Sequence, residues 1–163
     1  MLASRLVHLI ENHSEELATG LTAKLNQSER TRDFGNIPRE ELQKTTAELY
    51  HNLGEWLLKK TEKDIENHFA SVAGRRAAEG VSLRQFVWAL IVSRNHLYQF
   101  LLGRAFADSI FELYNELELQ QLLNQFFERA IYYGVAAYED ARERDRPTVT
   151  AARPRRERTR LIG

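Results

Sequence analysis

The amino-acid sequence predicts an all-α fold, a helical bundle of about five to seven helices followed by a disordered basic tail. Apolar residues recur every three or four positions along most of residues 1–141, which is the spacing of amphipathic helices. No segment of four to eight residues shows the strict alternation, bounded by turns, that is typical of a strand. A chain of 163 residues suits one domain. We therefore expect a helical domain at residues 1–141 and an arginine-rich tail or linker at residues 142–163.

The most apolar stretch of the chain lies at residues 82–103 and is predicted to form a central helix. Its apolar side chains occupy most of the helix circumference, which indicates a helix covered on nearly all sides. Arg94 and His96 interrupt this stretch. A charged side chain in an otherwise buried helix must be paired or must face a cavity, so these two positions are candidates for function.

Helix-start and helix-end residues divide the rest of the domain. Helices are predicted at about residues 2–12, 14–25, 38–57 and 62–79, and the first two could also be one helix kinked near His13. Residues 26–36 are predicted to be a loop held in place by Phe34, and Gly80 stands where a helix commonly has its terminal glycine. A long amphipathic helix is predicted from Leu119 onward, and residues 104–118 are either a separate short helix or its beginning.

Arg94 needs a carboxylate partner or an anionic ligand to offset the cost of removing its guanidinium from water. An internal ion pair is the favoured interpretation, followed by a site for a ligand anion and then by exposure of the charged tip at the surface. The acids that could pair with it are Glu79, Glu112, Glu116 and Glu128.

The histidines offer one route to cofactor chemistry. His68 and His96 lie among apolar neighbours, and a neutral histidine that projects into a helical cavity can serve as an axial ligand of haem. A hydrogen-bonded core histidine is the more frequent outcome for such a residue. The candidate ligand-binding residues are therefore Arg94, His96, His68 and Tyr98, with no cofactor expected and haem as the alternative.

Catalysis and metal binding have little support in the sequence. The chain has no cysteine, which excludes disulfides, cysteine-ligated zinc and iron–sulfur clusters. No histidine pair with an adjacent glutamate has metalloprotease spacing, and no nucleophile–base pair or paired-carboxylate motif stands out. We expect no catalytic residues, no metal ligands and no enzyme activity.

The net charge of zero hides an uneven distribution of charge. Residues 1–141 carry 15 basic and 20 acidic side chains, whereas residues 142–163 carry eight arginines and three acids. Such a block is typical of a solvated arm that has little to bury, so we expect it to be disordered. It lacks aromatic residues to stack on bases, so nucleic-acid binding through phosphate contacts is a minor alternative.

Localisation and assembly can also be predicted. The first residues alternate charged and apolar side chains too often for a signal peptide, and no apolar run reaches the roughly 18 residues of a membrane span. We expect a cytoplasmic protein with no membrane contact. Tyr132, Tyr133 and Tyr138 on the last helix could line a ligand pocket, but their spacing favours the core or a helix–helix contact. A two-fold homodimer is the commonest way to bury such a surface.

Residues 75–101, RRAAEGVSLRQFVWALIVSRNHLYQFL, carry a recurring arrangement of residues. An Arg–Ala pair precedes a glycine and a helix start, and an arginine followed by an apolar or aromatic pair comes later in the helix. The positions are Arg76, Ala77, Gly80, Val81, Leu83, Arg94, Leu97 and Tyr98. This arrangement resembles the core motif of the RsbRD N-terminal domain, the helical sensor domain of stressosome co-antagonist proteins, which also precedes some bacterial sensor kinases. The segments LVHLIENHSEEL and PREELQKTTAELYHNLGEWL extend the likeness.

The resemblance implies a globin-like or bundle-shaped sensor module, often dimeric, that passes a signal in a bacterial stress response. Related stressosome sensors include globin-like domains that bind no haem. No output domain follows residue 141, so we expect the module to act on a partner or on an output domain absent from this chain. The first expectation is a non-enzymatic, haem-free, dimeric signalling module. A haem-binding sensor that uses His96 or His68 and a tail that binds nucleic acid are the alternatives.

Overall fold

A computed structural model of the chain describes residues 4–104 and 110–145, apart from the side chain of Phe111. These residues form seven α-helices and one 3-10 segment, with no strand among them, which confirms the predicted all-α class. The helices are α1 Ser4–Asn12, α2 Ser14–Gln27, α3 Arg39–His51, α4 Leu53–Leu58, α5 Glu62–Ala78, α6 Leu83–Arg104 and α7 Ile110–Arg144, and the 3-10 segment is Glu29–Asn36. None of the described helices is long and apolar enough to cross a membrane.

Two pairs of helices enclose the core, and α6 lies between them. α7 packs along α5, α2 packs along α3, and α6 contacts α2, α5, α7 and the 3-10 segment. The core is where these helices meet, and its largest side chains are almost fully buried. Its most buried members include Tyr50, Leu97, Leu119, Leu123 and Phe127. The stretch predicted to be central is therefore the central helix of the described fold.

The central helix α6 is less completely buried by its neighbours than the sequence predicted. The buried residues of α6 are Phe86, Ala89, Leu97 and Leu101, which form a single stripe at helical spacing. Most of the other apolar side chains of α6 are half-buried, and Leu102 is 78% exposed. The described neighbours of α6 thus cover one stripe of it rather than its whole circumference.

The single helix predicted for residues 38–57 is two helices, α3 and α4, separated at Asn52. The backbone of Asn52 leaves the helical region, with φ −104° and ψ 21°. Its side-chain amide donates a hydrogen bond to the Glu48 carbonyl at 2.9 Å. An asparagine side chain that bonds to nearby backbone competes with helix continuation, which explains the break. Leu53, the next residue, is fully buried and begins α4.

The region predicted as a loop at residues 26–36 contains the 3-10 segment. Ser28 caps this segment by accepting a hydrogen bond from the Arg30 backbone N–H. The Thr31 hydroxyl donates to the Leu25 carbonyl at 2.7 Å and ties the segment to the end of α2. Phe34 is 4% exposed, which confirms that it anchors the region.

The turn between α5 and α6 joins four elements of the fold. Gly80 adopts φ +83°, the left-handed conformation that favours glycine, and so fulfils the predicted role at the end of α5. The Ser82 backbone N–H donates to an Asp33 carboxylate oxygen of the 3-10 segment at 3.1 Å. The Tyr138 hydroxyl of α7 donates to the Val81 carbonyl at 2.9 Å. These bonds fix the start of α6 against the 3-10 segment and against α7.

The last helix includes the segment before Leu119, which was one of the two predicted alternatives, and it ends later than predicted. α7 begins at Ile110, so residues 110–118 are its beginning and not a separate helix, while residues 105–109 lie outside the described residues. α7 also continues to Arg144, past the predicted domain end at residue 141. The disorder predicted for the tail falls mainly on residues 146–163, which are outside the described residues.

Candidate functional site

A cavity of about 370 Å³ lies among the helices of the core. Its wall is formed by parts of α2, α3, α5 and α6, together with Asn52 and single residues of α4, α7 and the 3-10 segment. Most of the wall is apolar, and it includes the aromatic side chains Phe34, Tyr50, Trp56, Phe69, Phe86 and Phe127. Pockets for small molecules have volumes of about 300–1,000 Å³ and commonly lie between the helices of bundles. This cavity is therefore the candidate functional site.

Helical spacing places the side chains that line the cavity. On α5, His68, Val72 and Arg75 share one face, since they lie at positions i, i+4 and i+7. On α6, Ala89 and Ser93 line the wall one turn apart. Both of these side chains are small, so they leave room that larger residues would fill.

Tyr50 places a hydroxyl on the cavity wall. This hydroxyl has only a weak hydrogen-bond partner in the protein. The residue is fully buried, and its hydroxyl lies 3.5 Å from the Ser93 carbonyl, at the long limit for a hydrogen bond. Burial raises the pKa of this hydroxyl well above its ordinary value, so it stays protonated. A protonated hydroxyl with one long contact can donate to a bound molecule.

His68 lies on the cavity wall among aromatic rings. Its ring centroid is 4.5 Å from that of Trp56 and 4.9 Å from that of Phe69. Burial lowers the pKa of His68, and the positive charges of Arg75 and Lys60 lower it further, so the imidazole is neutral at pH 7. It has no hydrogen-bond partner among the residues that the structure describes.

Arg76 is a buried cation at the cavity, and it was predicted as part of the family-like motif but not as a ligand-binding residue. It is 4% exposed, and its Nη1 donates to the Glu79 carboxylate at 2.7 Å. The burial of Arg76 could have been predicted from the sequence, because Phe69, Ala73 and Arg76 continue one buried face of α5 at helical spacing. Tyr50 continues the apolar face of α3 beside Leu42 in the same way.

His96 lies between α2 and α6 and does not line the cavity. Its Nε2 donates to the Leu17 carbonyl at 2.9 Å, while its buried Nδ1 has no described partner. The absence of a side chain at Gly20 permits this approach, since a Cβ there would be only 3.0 Å from the His96 ring. Burial and the charge of Lys24 lower the pKa of His96, although the bond to Leu17 opposes this. His96 is thus a hydrogen-bonded histidine between two helices.

Arg94 does not form the expected ion pair with any described carboxylate, and Glu79 pairs with Arg76 instead. The Arg94 guanidinium carbon lies 5.9 Å from the centre of the Tyr98 ring, and its buried Nε has no described partner. The Tyr98 hydroxyl donates to the side-chain oxygen of Asn124 on α7. The structure thus brings Arg94 and Tyr98 together near the α6–α7 contact, away from the cavity. Of the four candidate ligand-binding residues, His68 lines the cavity.

The described residues place no group of three histidine, aspartate or glutamate side chains where it could hold a metal ion. Comparisons with protein-family models, with curated proteins and with solved structures gave no match. The class of the protein therefore rests on its fold and its site. It is an all-α domain with a central cavity of small-molecule size. The likeness to the RsbRD N-terminal domain stays a prediction from the sequence.

We expect the protein to lose stability as the pH falls from about 7 to about 5. The pKa values of His68 and His96 are lowered in the folded protein, whereas histidine in an unfolded chain has a pKa of about 6.5. The unfolded chain therefore binds more protons in this range, so the free energy of unfolding decreases as the pH falls through the unfolded value. It levels off below the folded pKa values. Urea unfolding at a series of pH values measures this slope.

The matched controls for the pH experiment are histidine variants. The slope should be reduced in the double variant His68→Gln, His96→Gln and kept in a variant of the exposed His51, His51→Gln. Glu62 and Asp64 also have lowered pKa values, but their protonation destabilises the fold only below about pH 4.5. A stability that is the same at pH 7 and pH 5 would contradict the assignment of neutral, half-buried imidazoles.

Proposed function

We propose that the chain is a non-enzymatic, haem-free signalling module of the bacterial cytoplasm, in which occupancy of the cavity changes the packing of α6 and α7. The observation that carries this proposal is the position of the cavity. Phe86, Ala89 and Ser93 of α6 line it together with Phe127 of α7, so a bound molecule contacts both helices. The resemblance of residues 75–101 to a sensor domain of the stressosome supports the signalling class.

A structural change at the cavity can be transmitted along the molecule by α7. α7 contains 35 residues and is therefore about 50 Å long at 1.5 Å per residue. It contacts α1, α4, α5 and α6, so a displacement of α7 alters several helix contacts together. A ligand shifts such an equilibrium only by its difference in affinity for the two arrangements of the helices. A partner protein or an output domain then responds to the position of α7.

A cavity-filling substitution tests the ligand-binding part of the proposal. We expect small amphipathic molecules to raise the melting temperature of the wild type, since a ligand at 100 times its dissociation constant stabilises the folded state by about 2.7 kcal/mol. Ser93→Leu places a larger side chain in the cavity and should abolish the increase. Asn95→Leu, at an exposed position of the same helix, should retain it. Thermal-shift assays of the three proteins give the comparison, and an increase that survives in Ser93→Leu would contradict the proposal.

The proposed module is a homodimer held by the first turns of α7. Ile110, Leu113, Tyr114 and Leu117 lie at positions i, i+3, i+4 and i+7, so they share one face of the helix. They are between 48% and 71% exposed, although each is large and apolar. An exposed apolar row of this kind is typical of a protein–protein contact, and a second copy of the chain can cover it by two-fold symmetry.

We expect Leu117→Lys to weaken the dimer at least about tenfold, because it buries a charge in the contact. Leu58→Lys is the matched control, since Leu58 on α4 has the same exposure of 51% but lies outside the row. Size-exclusion chromatography with light scattering measures the dissociation of each protein. A wild type that stays monomeric at high concentration, or a dimer that Leu117→Lys leaves intact, would contradict this arrangement.

A haem-binding sensor is the second candidate function, and the position of His68 favours it. The imidazole lines the cavity and has no described hydrogen-bond partner, whereas His96 would have to give up its bond to the Leu17 carbonyl. An absorption spectrum of protein from haem-supplemented cells distinguishes the candidates. A Soret band that disappears in His68→Ala and persists in His96→Ala selects the haem sensor, and a colourless protein selects the haem-free module.

A further inference from the structure

Two side chains of α5 that line the cavity offer unused hydrogen-bonding capacity. His68 and Arg75 are seven residues apart on one face of the helix, and neither has a side-chain hydrogen bond or ion pair with a described residue. The neighbouring Arg76 differs, since its guanidinium is committed to the Glu79 carboxylate. Arg75 is exposed, so its charged end lies where the cavity meets solvent.

A second cation, Lys60, contacts a residue of the cavity wall but does not line the cavity itself. The Lys60 ammonium is 5.4 Å from the centre of the Trp56 ring, and Trp56 packs against His68 on the cavity wall. The positive charges of Arg75 and Lys60 both lower the pKa of His68. Glu48 of α3 is the acidic side chain on the described wall, and it too is exposed. The α5 side of the cavity is therefore positively charged.

The rest of the wall suits a hydrocarbon. Phe34, Phe69, Phe86 and Phe127 are each at most 4% exposed, and their rings offer apolar surface from four different elements. An apolar pocket with a few convergent polar groups is the usual form of a site for an amphipathic small molecule. Apart from Glu48, the charged groups of the wall are cations, and His68 and Tyr50 are neutral donors, which favours an anionic head group over a cationic one.

We propose that the cavity binds an amphipathic monocarboxylate, with its hydrocarbon body among the aromatic side chains and its carboxylate at Arg75, beside His68 and Lys60. This assignment names the ligand class of the proposed function and rests on it. The Arg75 guanidinium can hold a carboxylate through two parallel hydrogen bonds, and the neutral His68 imidazole can donate a third. The Tyr50 hydroxyl is a further donor on the wall for a ligand that carries a second polar group.

Trp56 provides the reporter for the binding experiment. The chain has two tryptophans, so the variant Trp88→Phe leaves Trp56, which lines the cavity, as the single tryptophan. We would titrate this protein at about pH 8, where carboxylic acids are fully ionised. The probes are decanoate and 1-decanol, which share an aliphatic body, and 4-phenylbutyrate and 4-phenylbutanol, which share an aromatic one. We expect each carboxylate to bind at least about tenfold more tightly than its alcohol.

Arginine variants separate the charge contact from the apolar contact. Arg75→Gln should lower carboxylate affinity about tenfold and leave alcohol affinity unchanged. Arg84→Gln is the matched control, because Arg84 is an exposed arginine of α6 that does not line the cavity. Lys60→Gln should give a smaller loss in the same direction. Alcohols that bind as tightly as carboxylates, or a carboxylate preference that survives in Arg75→Gln, would overturn the assignment.

The ligand class and the signalling function can fail separately. Carboxylate binding that depends on Arg75 but leaves α7 unchanged would keep the ligand class and overturn the signalling function. A change in α7 that alcohols and carboxylates produce equally would keep the signalling function and overturn the ligand class. Absence of any binding at the Trp56 reporter would overturn both.

Discussion

Replacing Glu79 by alanine is expected to lower the free energy of unfolding by about 2–3 kcal/mol, because the Arg76 guanidinium would stay buried without its charged partner. The Arg76 side chain is 5% exposed and lies 2.7 Å from the Glu79 carboxylate. Removal of one member of a fully buried ion pair costs about 3–5 kcal/mol. The Glu79 side chain is 25% exposed, which places the expected loss at the lower end of that range or below it. Urea unfolding at pH 7 measures the change.

The opposite truncation is expected to be milder. Arg76→Met should cost about 1–2 kcal/mol, since the partly exposed Glu79 carboxylate can be hydrated and the methionine side chain fills part of the space. Glu66→Ala is the surface control, because Glu66 also pairs at i, i+3 on α5, with Lys63, but in an exposed position. It should cost less than about 1 kcal/mol. Equal losses for Glu79→Ala and Glu66→Ala would show that the Arg76 charge is not buried as described.

Gly134→Ala is expected to lower the free energy of unfolding by about 1–3 kcal/mol, because the added methyl group overpacks the contact between α7 and α6. A Cβ at Gly134 would collide with the ring of Phe86, whose Cζ would be 2.9 Å away. Phe86 is 2% exposed, and its ring centroid is 5.2 Å from that of Tyr138. The ring therefore has little room to move aside. Thermal or urea unfolding measures the loss.

Gly74→Ala is the matched control for this substitution. Gly74 is an exposed glycine within α5, and a Cβ there meets nothing within 4 Å. Alanine is the better helix former by about 1 kcal/mol, so Gly74→Ala should be stabilising. Phe86→Leu should recover part of the stability of Gly134→Ala by making room. If both glycine variants proved equally stabilising, the close contact of α7 with α6 would be wrong.

The sequence predicted the helices where periodicity and local start and stop residues agree. The end of α5 at Gly80 and the anchoring role of Phe34 are examples, since both depend on chemistry within a few residues. The break at Asn52 was missed because the apolar spacing continues through it, and only the side-chain bond to Glu48 interrupts the helix. The start of α7 was left open between two alternatives because its first apolar row lies at the surface and resembles an ordinary short segment.

The site was less predictable than the fold, because a cavity forms where side chains from distant segments leave space. Arg94 and His96 attract attention in the sequence as polar residues in an apolar stretch, but neither lines the cavity. Arg76 and Tyr50 line it, and each simply continues a buried helix face that looks apolar in the sequence. The contact of Tyr50 with Ser93 becomes apparent once α3 and α6 are packed. Glu79, in contrast, is three residues from Arg76 and pairs with it locally. His68 could be predicted because it is a histidine among apolar neighbours.

Hydrogen exchange along α7 tests the central claim most directly, which is that occupancy of the cavity changes helix packing. The amides of residues 119–138 would be followed with and without saturating decanoate, in the wild type and in the cavity-filled variant Ser93→Leu. We expect decanoate to change their exchange rates in the wild type by about tenfold, equivalent to 1.4 kcal/mol of opening free energy, and to leave those of Ser93→Leu unchanged. Decanoate that binds at Trp56 yet leaves the exchange of α7 unaltered in the wild type would contradict this claim.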